Sequence, residues 1–427
     1  MIDRQLYDNF KEILRSELIP ALGCTEPGAI AYGASQARSL LGSMPESMEL
    51  WCSGNIVKNV KGVIVPNSGG MRGIEAAAVL GMLAGHSQPD DCDLEVLNSI
   101  TCDDISEAEK LLKEGFCQCH LAEDTPNLYI KVLVRGNGHE AQIIIEGSHT
   151  NITGRILDGK PIYSSASCSG DDMAEKLKDH LSVKKILQFA EALTEKDGRE
   201  LFSAQIRDNT AIAEEGLSGN YGARVGQTLL KTRDEGSVRA RAVAKAAAGS
   251  DARMNGCELP VIINSGSGNQ GITCSVPLIE YAKELHSGKE KLYRALIISN
   301  LVAIHEKTGI GTLSAYCGAV SAGAGAGAGI VYLCGDGYQA AIHTVVNALA
   351  IVSGIVCDGA KASCAAKIAS SVDAALLGYN MYKCHQEFKG GDGIVMKDIE
   401  TTIKGIGRLG KDGMKETNEE IIRLMIE

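Results

Sequence analysis

The run from Gly318 to Ile330 is the sequence feature that most constrains how this chain can fold. It consists almost entirely of glycine and alanine. The longer, weakly polar stretch 313–334 around it is too lightly hydrophobic for a membrane span, so we expect helices that pack backbone against backbone. The chain has 49 Gly but only 5 Phe and 1 Trp, which predicts a core of closely packed Ala, Ile, Leu and Val.

Three cysteines flank this run. Cys317 precedes it directly, Cys357 follows 40 residues later and Cys364 a further 7 residues on. Turns rich in Gly and Ala let thiolates approach one metal centre and offer backbone amides to cluster sulfurs. The spacing lacks the short Cys-x-x-Cys repeat of ferredoxins and zinc ribbons. From spacing alone, cluster ligands and buried structural thiols are therefore equal alternatives.

A second group of soft ligands lies at Cys117, Cys119 and His120. These residues occupy adjacent positions of an alternating, exposed segment, a pattern that more often has no metal-binding role. We therefore favour no metal there.

Charge and cysteine content limit the class of protein. The formal net charge is −11, and no basic block is present that would neutralise a phosphate backbone, so we expect no nucleic-acid partner. The N-terminal segment lacks the basic start and apolar core of a signal peptide. Fourteen cysteines in a chain without secretion signals predict reduced thiols in the cytoplasm rather than disulfides. No pattern points to a nucleotide or to pyridoxal phosphate.

Three turns that precede helices hold further candidates. Cys24 lies near the start of an Ala-rich helix that we expect to run from about residue 28 to 41, where the helix dipole favours a thiolate. Glycine-rich loops at 66–73 and 264–271 also open helices and can present amides and hydroxyls to an anion. Either loop alone is a weak signal, but two together favour a carboxylate or phosphate pocket.

The patterns predict an α+β fold: a mainly α-helical, Gly/Ala-rich domain with a smaller inserted α+β domain. We expect residues 1–89 to form the first part of the helical domain, 90–165 the inserted domain and 166–427 the second helical part. Within the insert, alternating runs at 128–134 and 141–146 predict a β-hairpin. His149 leaves its second strand near the expected domain junction, although such a histidine is more often a surface or capping residue. A helix is predicted over 227–249.

Five motifs in order resemble the L-cysteine desulfidase family, which is related to the alpha chain of iron–sulfur L-serine dehydratases. They are Gly-Cys-Thr-Glu-Pro at 23–27, Ser-Gly-Asn-Ile-Val-Lys-Asn at 53–59, His-Thr-Asn-Ile at 149–152, Gly-Ser-Gly-Asn-Gln-Gly at 266–271 and Cys-Asp-Gly-Ala-Lys-x-x-Cys at 357–364. The resemblance spans nearly the whole chain. It is more specific for the family than for the substrate.

The resemblance implies a [4Fe-4S] cluster without a redox role, held by Cys317, Cys357 and Cys364. One iron then has no protein ligand and acts as a Lewis acid toward the substrate's β-thiol or hydroxyl. Cys24 matches the family's proton acceptor, with a role as cluster ligand in place of Cys364 left open. The implied reaction is a pyridoxal phosphate-independent β-elimination on L-cysteine that gives pyruvate, ammonia and hydrogen sulfide.

Binding residues for a small amino acid follow from the two loops and their neighbours. For the substrate carboxylate we expect Asn67 and Ser68 from the first loop and Ser265 and Asn269 from the second. Lys58 or Lys361 would add positive charge, and His149 would orient the amino or carboxylate group. The alternative is that these side chains only cap helices.

Two other functions stay open. The same cluster could act on L-serine or another β-substituted amino acid, or the cysteines could form a non-catalytic iron–sulfur redox sensor. The two anion-type loops argue against the sensor. We expect no membrane partner, and a homodimer is compatible with the sequence, which does not set the oligomeric state.

Overall fold

A computed structural model describes residues 2–84, 94, 96–164, 176–234, 236–311 and 313–426 of the chain. Its elements are mainly α-helices, accompanied by one six-stranded sheet and one pair of short strands. The α+β class predicted from the sequence is confirmed. Within the described ranges, no helix combines the length and the apolar character needed to cross a membrane.

The sheet contains six strands. They are β2 (Ser47–Ser53), β3 (Cys117–Ala122), β4 (Tyr129–Gly136), β5 (His139–Glu146), β6 (Ile152–Leu157) and β7 (Lys160–Ser164). Their spatial order is β3-β2-β4-β5-β6-β7, with β2 and β3 parallel and the other neighbours antiparallel. The predicted hairpin is present as β4 and β5. Asn137 and Gly138 join these strands with φ of 53° and 78°, as a type I′ turn requires.

Four helices accompany the sheet, together with a 3₁₀ turn at Val96–Ser99. They are α2 (Thr25–Leu41), α3 (Gly54–Val60), α4 (Ile74–Ala84) and α5 (Cys102–Lys113). Buried side chains of α2 and α4 share one hydrophobic core with side chains of β2, β4 and β5. We call the described residues between 24 and 164 the sheet lobe. Since β2 lies before residue 90, the sheet draws on both sides of that expected boundary, and the domain division at 90 and 165 stays a prediction.

Most of the remaining helices pack around a second, larger core, and we call these remaining helices together the helical lobe. They are α1 (Arg4–Glu17), α6 (Val183–Ala192), α7 (Glu195–Ser218), α8 (Val225–Thr232), α9 (Val238–Met254), α10 (Gly268–Glu284), α11 (Lys289–Ile310), α12 (Gly318–Leu333), α13 (Tyr338–Val352), α14 (Cys364–Lys383), α15 (Ile399–Arg408) and α16 (Lys415–Ile426). The short strands β1 (Pro20–Leu22) and β8 (Pro260–Ile262) pair antiparallel beside them.

Helix α12 is the Gly/Ala run, and it packs as the composition predicts. A Cβ atom added at Gly325 would lie 2.4 Å from the backbone oxygen of Ser299 in α11. One added at Gly323 would lie 2.7 Å from Cβ of Ser371 in α14. Both distances are well below van der Waals contact, so only glycine allows these helices to approach α12 so closely.

The prediction of one helix over 227–249 is wrong, because the chain forms α8 and α9 there with a break between them. The backbone N–H of Gly236 donates to the carboxylate of Asp234 at 3.0 Å, and Ser237 then stands at the N-cap of α9. A local turn made by Asp and Gly competes successfully with helix continuation.

Candidate active site

A cavity of about 100 Å³ collects residues from both lobes. Most of the site residues predicted from the sequence line it: Cys24, His149, Ser265, Asn269, Cys317, Cys357 and Cys364. These positions are far apart in the chain and come together only through the packing of the sheet lobe on the helical lobe. The cavity is therefore the candidate active site.

Cys24 occupies the N-cap of α2 and is 2% exposed. Helix α2 begins at Thr25. The Cys24 Sγ donates to Oε2 of Glu26 at 2.7 Å. Burial, followed by the negative charge of Glu26, raises the pKa of the Cys24 thiol well above its ordinary value. The expectation of a lowered pKa at this helix terminus is wrong, because desolvation and a neighbouring carboxylate outweigh the dipole.

Glu26 is a cavity residue that the sequence analysis did not single out. Its carboxylate is buried and accepts hydrogen bonds from Cys24 and from Nδ2 of Asn59, the latter at 2.8 Å. Burial alone would raise the pKa of Glu26, but its hydrogen bonds and the approach of His149 together hold it well below the usual range. His149 Nε2 lies 3.9 Å from Oε1 of Glu26, too far for a direct hydrogen bond.

The three cysteines of the expected cluster lie on one wall. Cys317 is the N-cap of α12, and Cys364 is the first residue of α14. A short antiparallel bridge joins Tyr316 to Val356, in which the N–H of Cys357 donates to the carbonyl of Ala315 at 2.6 Å. This bridge places the Cys317 segment beside the Cys357 segment, although 40 residues separate them in the chain.

The cysteine loop folds tightly against α3. Gly359 has φ of 93°, and a Cβ there would lie 2.3 Å from the backbone oxygen of Lys58. Cys364 is held inside the loop, since its Sγ donates to the carbonyl of Gly359 at 3.6 Å. Burial, with a further contribution from Cys357, raises the pKa of Cys317 to about 12.

The cysteine thiols of the cavity are possible ligands of a metal centre. Across the described ranges, no three His, Cys, Asp or Glu side chains form a ligand set for a single metal ion, and this includes Cys117, Cys119 and His120 on β3. A single tetrahedral ion draws its thiolates to about 2.3 Å from one point. A [4Fe-4S] cluster is instead bound by cysteine thiolates distributed over its irons. Three thiols around one cavity therefore match the chemistry of a cluster better than that of one ion.

Buried cations balance this wall. Lys58, Arg253 and Lys307 all line the cavity and are 1%, 4% and 6% exposed. Lys58 Nζ donates to Oδ1 of Asn418 at 2.7 Å and to the carbonyl of Ser314 at 3.3 Å. These three cations outnumber the Glu26 carboxylate among the lining residues. Such a cavity favours anionic groups on its ligand, because an excess of one sign of charge in the lining attracts the opposite sign.

The two glycine-rich loops differ in position. The second loop lines the cavity, and Thr25 Oγ1 ties it to α2 by donating to the carbonyl of Gly266 at 2.8 Å. The first loop does not reach the lining. Asn67 Nδ2 donates to the carbonyl of Leu97 at 2.9 Å, and Ser68 Oγ donates to the carbonyl of Met71 at 3.3 Å. Both side chains stabilise their own surroundings.

Lys361 also lies outside the lining. Its Nζ donates to the carbonyl of Lys58 at 3.3 Å, so it joins the cysteine loop to α3. Of the two lysines weighed from the sequence, it is Lys58 that reaches the cavity.

Several buried polar atoms of the cavity wall have no hydrogen-bond partner within the part of the chain that the structure describes. They are Oδ1 of Asn59, Nε2 of His149, Nε of Arg253, Oδ1 of Asn269 and Oε1 of Gln270. Unpartnered buried polar atoms are rare and costly in folded proteins. Their concentration around one cavity indicates a site built for a polar ligand.

Sequence reasoning missed Glu26, Arg253 and Lys307. Glu26 could have been found as an acidic residue two positions from a candidate catalytic cysteine, within the Gly-Cys-Thr-Glu-Pro motif. Arg253 and Lys307 lie in ordinary helical segments, and no local pattern sets them apart.

Comparison with known proteins supplies an independent result. A family model described as serine dehydratase alpha chain matches residues 93–423. A UPF0597 protein of Desulfitobacterium hafniense is 52% identical over 420 residues, covering 98% of this chain and 97% of the relative. UPF0597 proteins of Lachnoclostridium phytofermentans and Treponema denticola are 48% and 44% identical, with 99% and 100% of this chain covered and 100% and 99% of the relatives.

Proposed function

The chain belongs to the serine dehydratase alpha chain family, and we propose from this that it is a lyase that removes the β-substituent of a small L-amino acid. The substrate we favour is L-cysteine, which would give pyruvate, ammonia and hydrogen sulfide. L-Serine is the second candidate, since the description of the matching family names serine. The observation that carries the proposal is the meeting of Cys24, Glu26 and three further cysteines at one cavity.

Cys317, Cys357 and Cys364 would hold a [4Fe-4S] cluster. Their wall suits an anionic group, because Lys58 and Lys307 bring buried positive charge to it and two of the thiols lie at helix N-termini. When bound by three cysteines alone, such a cluster supplies an iron that can accept the β-sulfur or β-oxygen of the substrate as a Lewis acid.

The remaining cavity residues would orient the amino acid. Glu26 offers a buried carboxylate to the substrate ammonium, with His149 beside it. Arg253 and Asn269 offer donors to the substrate carboxylate. Ser265 also lines the cavity, but its hydroxyl donates to Asn264. The lining of this one cavity therefore holds a carboxylate and a guanidinium, which match the ammonium and the carboxylate of a zwitterionic amino acid.

Cys24 would accept the α-proton. In the resting protein its sulfur holds a proton and donates a hydrogen bond to Glu26. This proton must leave before Cys24 can act as a base, and the positive charge of Arg253 favours its loss. The resulting thiolate can then take the proton from Cα while the bond from Cβ to the leaving sulfur breaks. The aminoacrylate that leaves would tautomerise and hydrolyse to pyruvate and ammonia.

Anaerobic reconstitution tests the proposal directly. We expect about four irons per chain, and sulfide, pyruvate and ammonia in equal amounts from L-cysteine. Iron binding that survives the combined substitutions Cys317→Ala, Cys357→Ala and Cys364→Ala would overturn the site assignment.

Turnover of L-serine and L-cysteine under the same conditions decides between the two substrates. A higher kcat/KM for L-serine would replace L-cysteine by the second candidate. A loaded cluster without ammonia from either amino acid would contradict the lyase and favour the redox sensor.

A further inference from the structure

A chain of buried side-chain amides runs from the interior of the helical lobe to the cavity. Its members are Gln205 on α7, Asn300 on α11 and Asn264 at the start of the second glycine-rich loop, and each is 0% exposed. None of the three lines the cavity, and the function proposed above uses none of them. Fully buried amides are uncommon and need complete hydrogen bonding.

Asn300 is the centre of this chain of amides. Its Nδ2 donates to Oε1 of Gln205 at 3.0 Å and to the carbonyl of Leu296 at 2.9 Å. Its Oδ1 accepts from Nε2 of Gln205 at 3.1 Å and from Nδ2 of Asn264 at 2.9 Å. Every donor and both acceptor positions are used, so the orientation of the Asn300 amide is set uniquely.

The chain of amides then continues into the second glycine-rich loop. Asn264 Oδ1 accepts from Oγ of Ser265 at 2.9 Å. The backbone N–H of Asn264 donates to the carbonyl of Ser267, and the N–H of Ser267 donates back to Asn264. Ser265 has φ of 49°, followed by Gly266 with φ of 74°. A serine in this left-handed region costs free energy that surrounding structure must offset, and the amide chain supplies that support.

We propose that Asn300 is a positioning residue for the cavity loop, acting through Asn264 and Ser265. This inference rests on the proposed function, because the loop's ligand is then the carboxylate of a small α-amino acid. The amide chain holds the loop backbone in the conformation that turns the amides of Asn269 and Gln270 toward the cavity. Their N–H groups can donate to that carboxylate, and their unpartnered oxygens can accept from the substrate ammonium. Binding then requires no ordering of the loop, which would otherwise lower affinity.

The test uses Asn300→Asp, which keeps the size of the side chain but removes both N–H donors. The matched control is Asn347→Asp. Asn347 is also 0% exposed, and both ends of its amide are hydrogen-bonded, since it donates to the carbonyl of Gly378 at 3.1 Å and accepts from the N–H of Phe388 at 3.1 Å. Both variants bury a carboxyl in place of an amide, and only the first disturbs the loop.

Two measurements distinguish the variants. Hydrogen exchange of residues 264–271 is followed by mass spectrometry in metal-free protein, and L-alanine, which has no β-leaving group, is titrated into iron-loaded protein by calorimetry. We expect exchange in this loop to be at least about tenfold faster in Asn300→Asp, and its Kd for L-alanine to rise by about tenfold. Asn347→Asp should change neither.

Equal effects of the two variants on loop exchange would overturn the proposal. If Asn300→Asp does not fold, Gln205→Met gives the same test. This substitution replaces the amide that pairs with Asn300 by an apolar side chain of similar size. It should raise loop exchange by a smaller factor, and unchanged exchange would contradict the role. If wild-type protein turns over no amino acid, the proposed function fails while the exchange comparison still decides the role of Asn300.

Discussion

The two lobes bring different chemistry to the cavity. From the sheet lobe come Cys24, Glu26 and His149, which hold or accept protons. From the helical lobe come the cysteines at 317, 357 and 364, with Arg253, Lys307 and the second glycine-rich loop. We call these two groups of residues the sheet wall and the helical wall of the cavity. The sheet wall is suited to proton transfer, and the helical wall is suited to binding a cluster and a carboxylate. Substitutions on the two walls should therefore have separable effects.

The largest effect is expected on the helical wall. Cys357→Ala should reduce iron content to background and abolish turnover, because it removes one of three thiolates. Metal analysis and absorbance of anaerobically loaded protein measure this. Cys334→Ala changes an exposed cysteine of the same lobe and should retain full iron. Full iron in Cys357→Ala would remove this residue from the cluster wall.

On the sheet wall, Glu26→Gln should keep its iron and lose catalysis. We expect kcat to fall by about 10²-fold or more, because Cys24 loses the carboxylate that accepts its hydrogen bond and the substrate ammonium loses its anionic partner. Iron content and kcat are measured on the same sample, with the exposed Glu123→Gln of the sheet lobe as control. Loss of iron in Glu26→Gln would show that the two walls are not independent.

The two glycine-rich loops allow a finer comparison. Asn269→Ala should raise KM by about tenfold with stability unchanged, since one donor or acceptor for the substrate is lost. Asn67→Ala should leave KM unchanged and lower the free energy of unfolding by about 1 kcal/mol, because the carbonyl of Leu97 loses its donor. Steady-state kinetics and urea unfolding measure the two quantities. If the Asn67 variant instead raised KM and the Asn269 variant lowered only stability, the first loop would belong to the substrate site.

The smallest effect is a pH dependence of stability. The pKa of Glu26 is lowered in the folded protein, so its contribution to stability is present above the ordinary carboxyl pKa of about 4.3 and is lost as pH falls through the folded value. Metal-free wild type should exceed Glu26→Gln in stability at pH 6, and this advantage should shrink below about pH 4. Urea unfolding at several pH values tests it. An advantage that grows in acid would contradict the low pKa.

Local patterns were enough for much of the fold. The alternating runs and the Asn137-Gly138 turn predicted the β4–β5 hairpin, because strand period and turn type depend on neighbouring residues. The Gly/Ala run predicted close helix packing for a similar reason, since only small side chains permit it. The break before α9 was missed because the Asp234 turn competes with a strong helical propensity on either side.

The positions of side chains relative to distant segments could not be predicted from local patterns. The two glycine-rich loops look alike in sequence, yet one satisfies its own polar groups and the other turns them to the cavity. The pKa of Cys24 followed from burial and from Glu26 rather than from the helix terminus. In both cases the deciding contacts come from segments far away in the chain.

The sequence by itself determined the class of fold, the family and seven candidate residues that line the cavity, because these depend on composition, local spacing and motifs. Only the packing of the sheet lobe on the helical lobe decided which loop faces the ligand, which buried cations share the site and where the Cys24 proton resides. The physical reason is that burial and charge act through space. They are set by neighbours that the order of residues does not reveal.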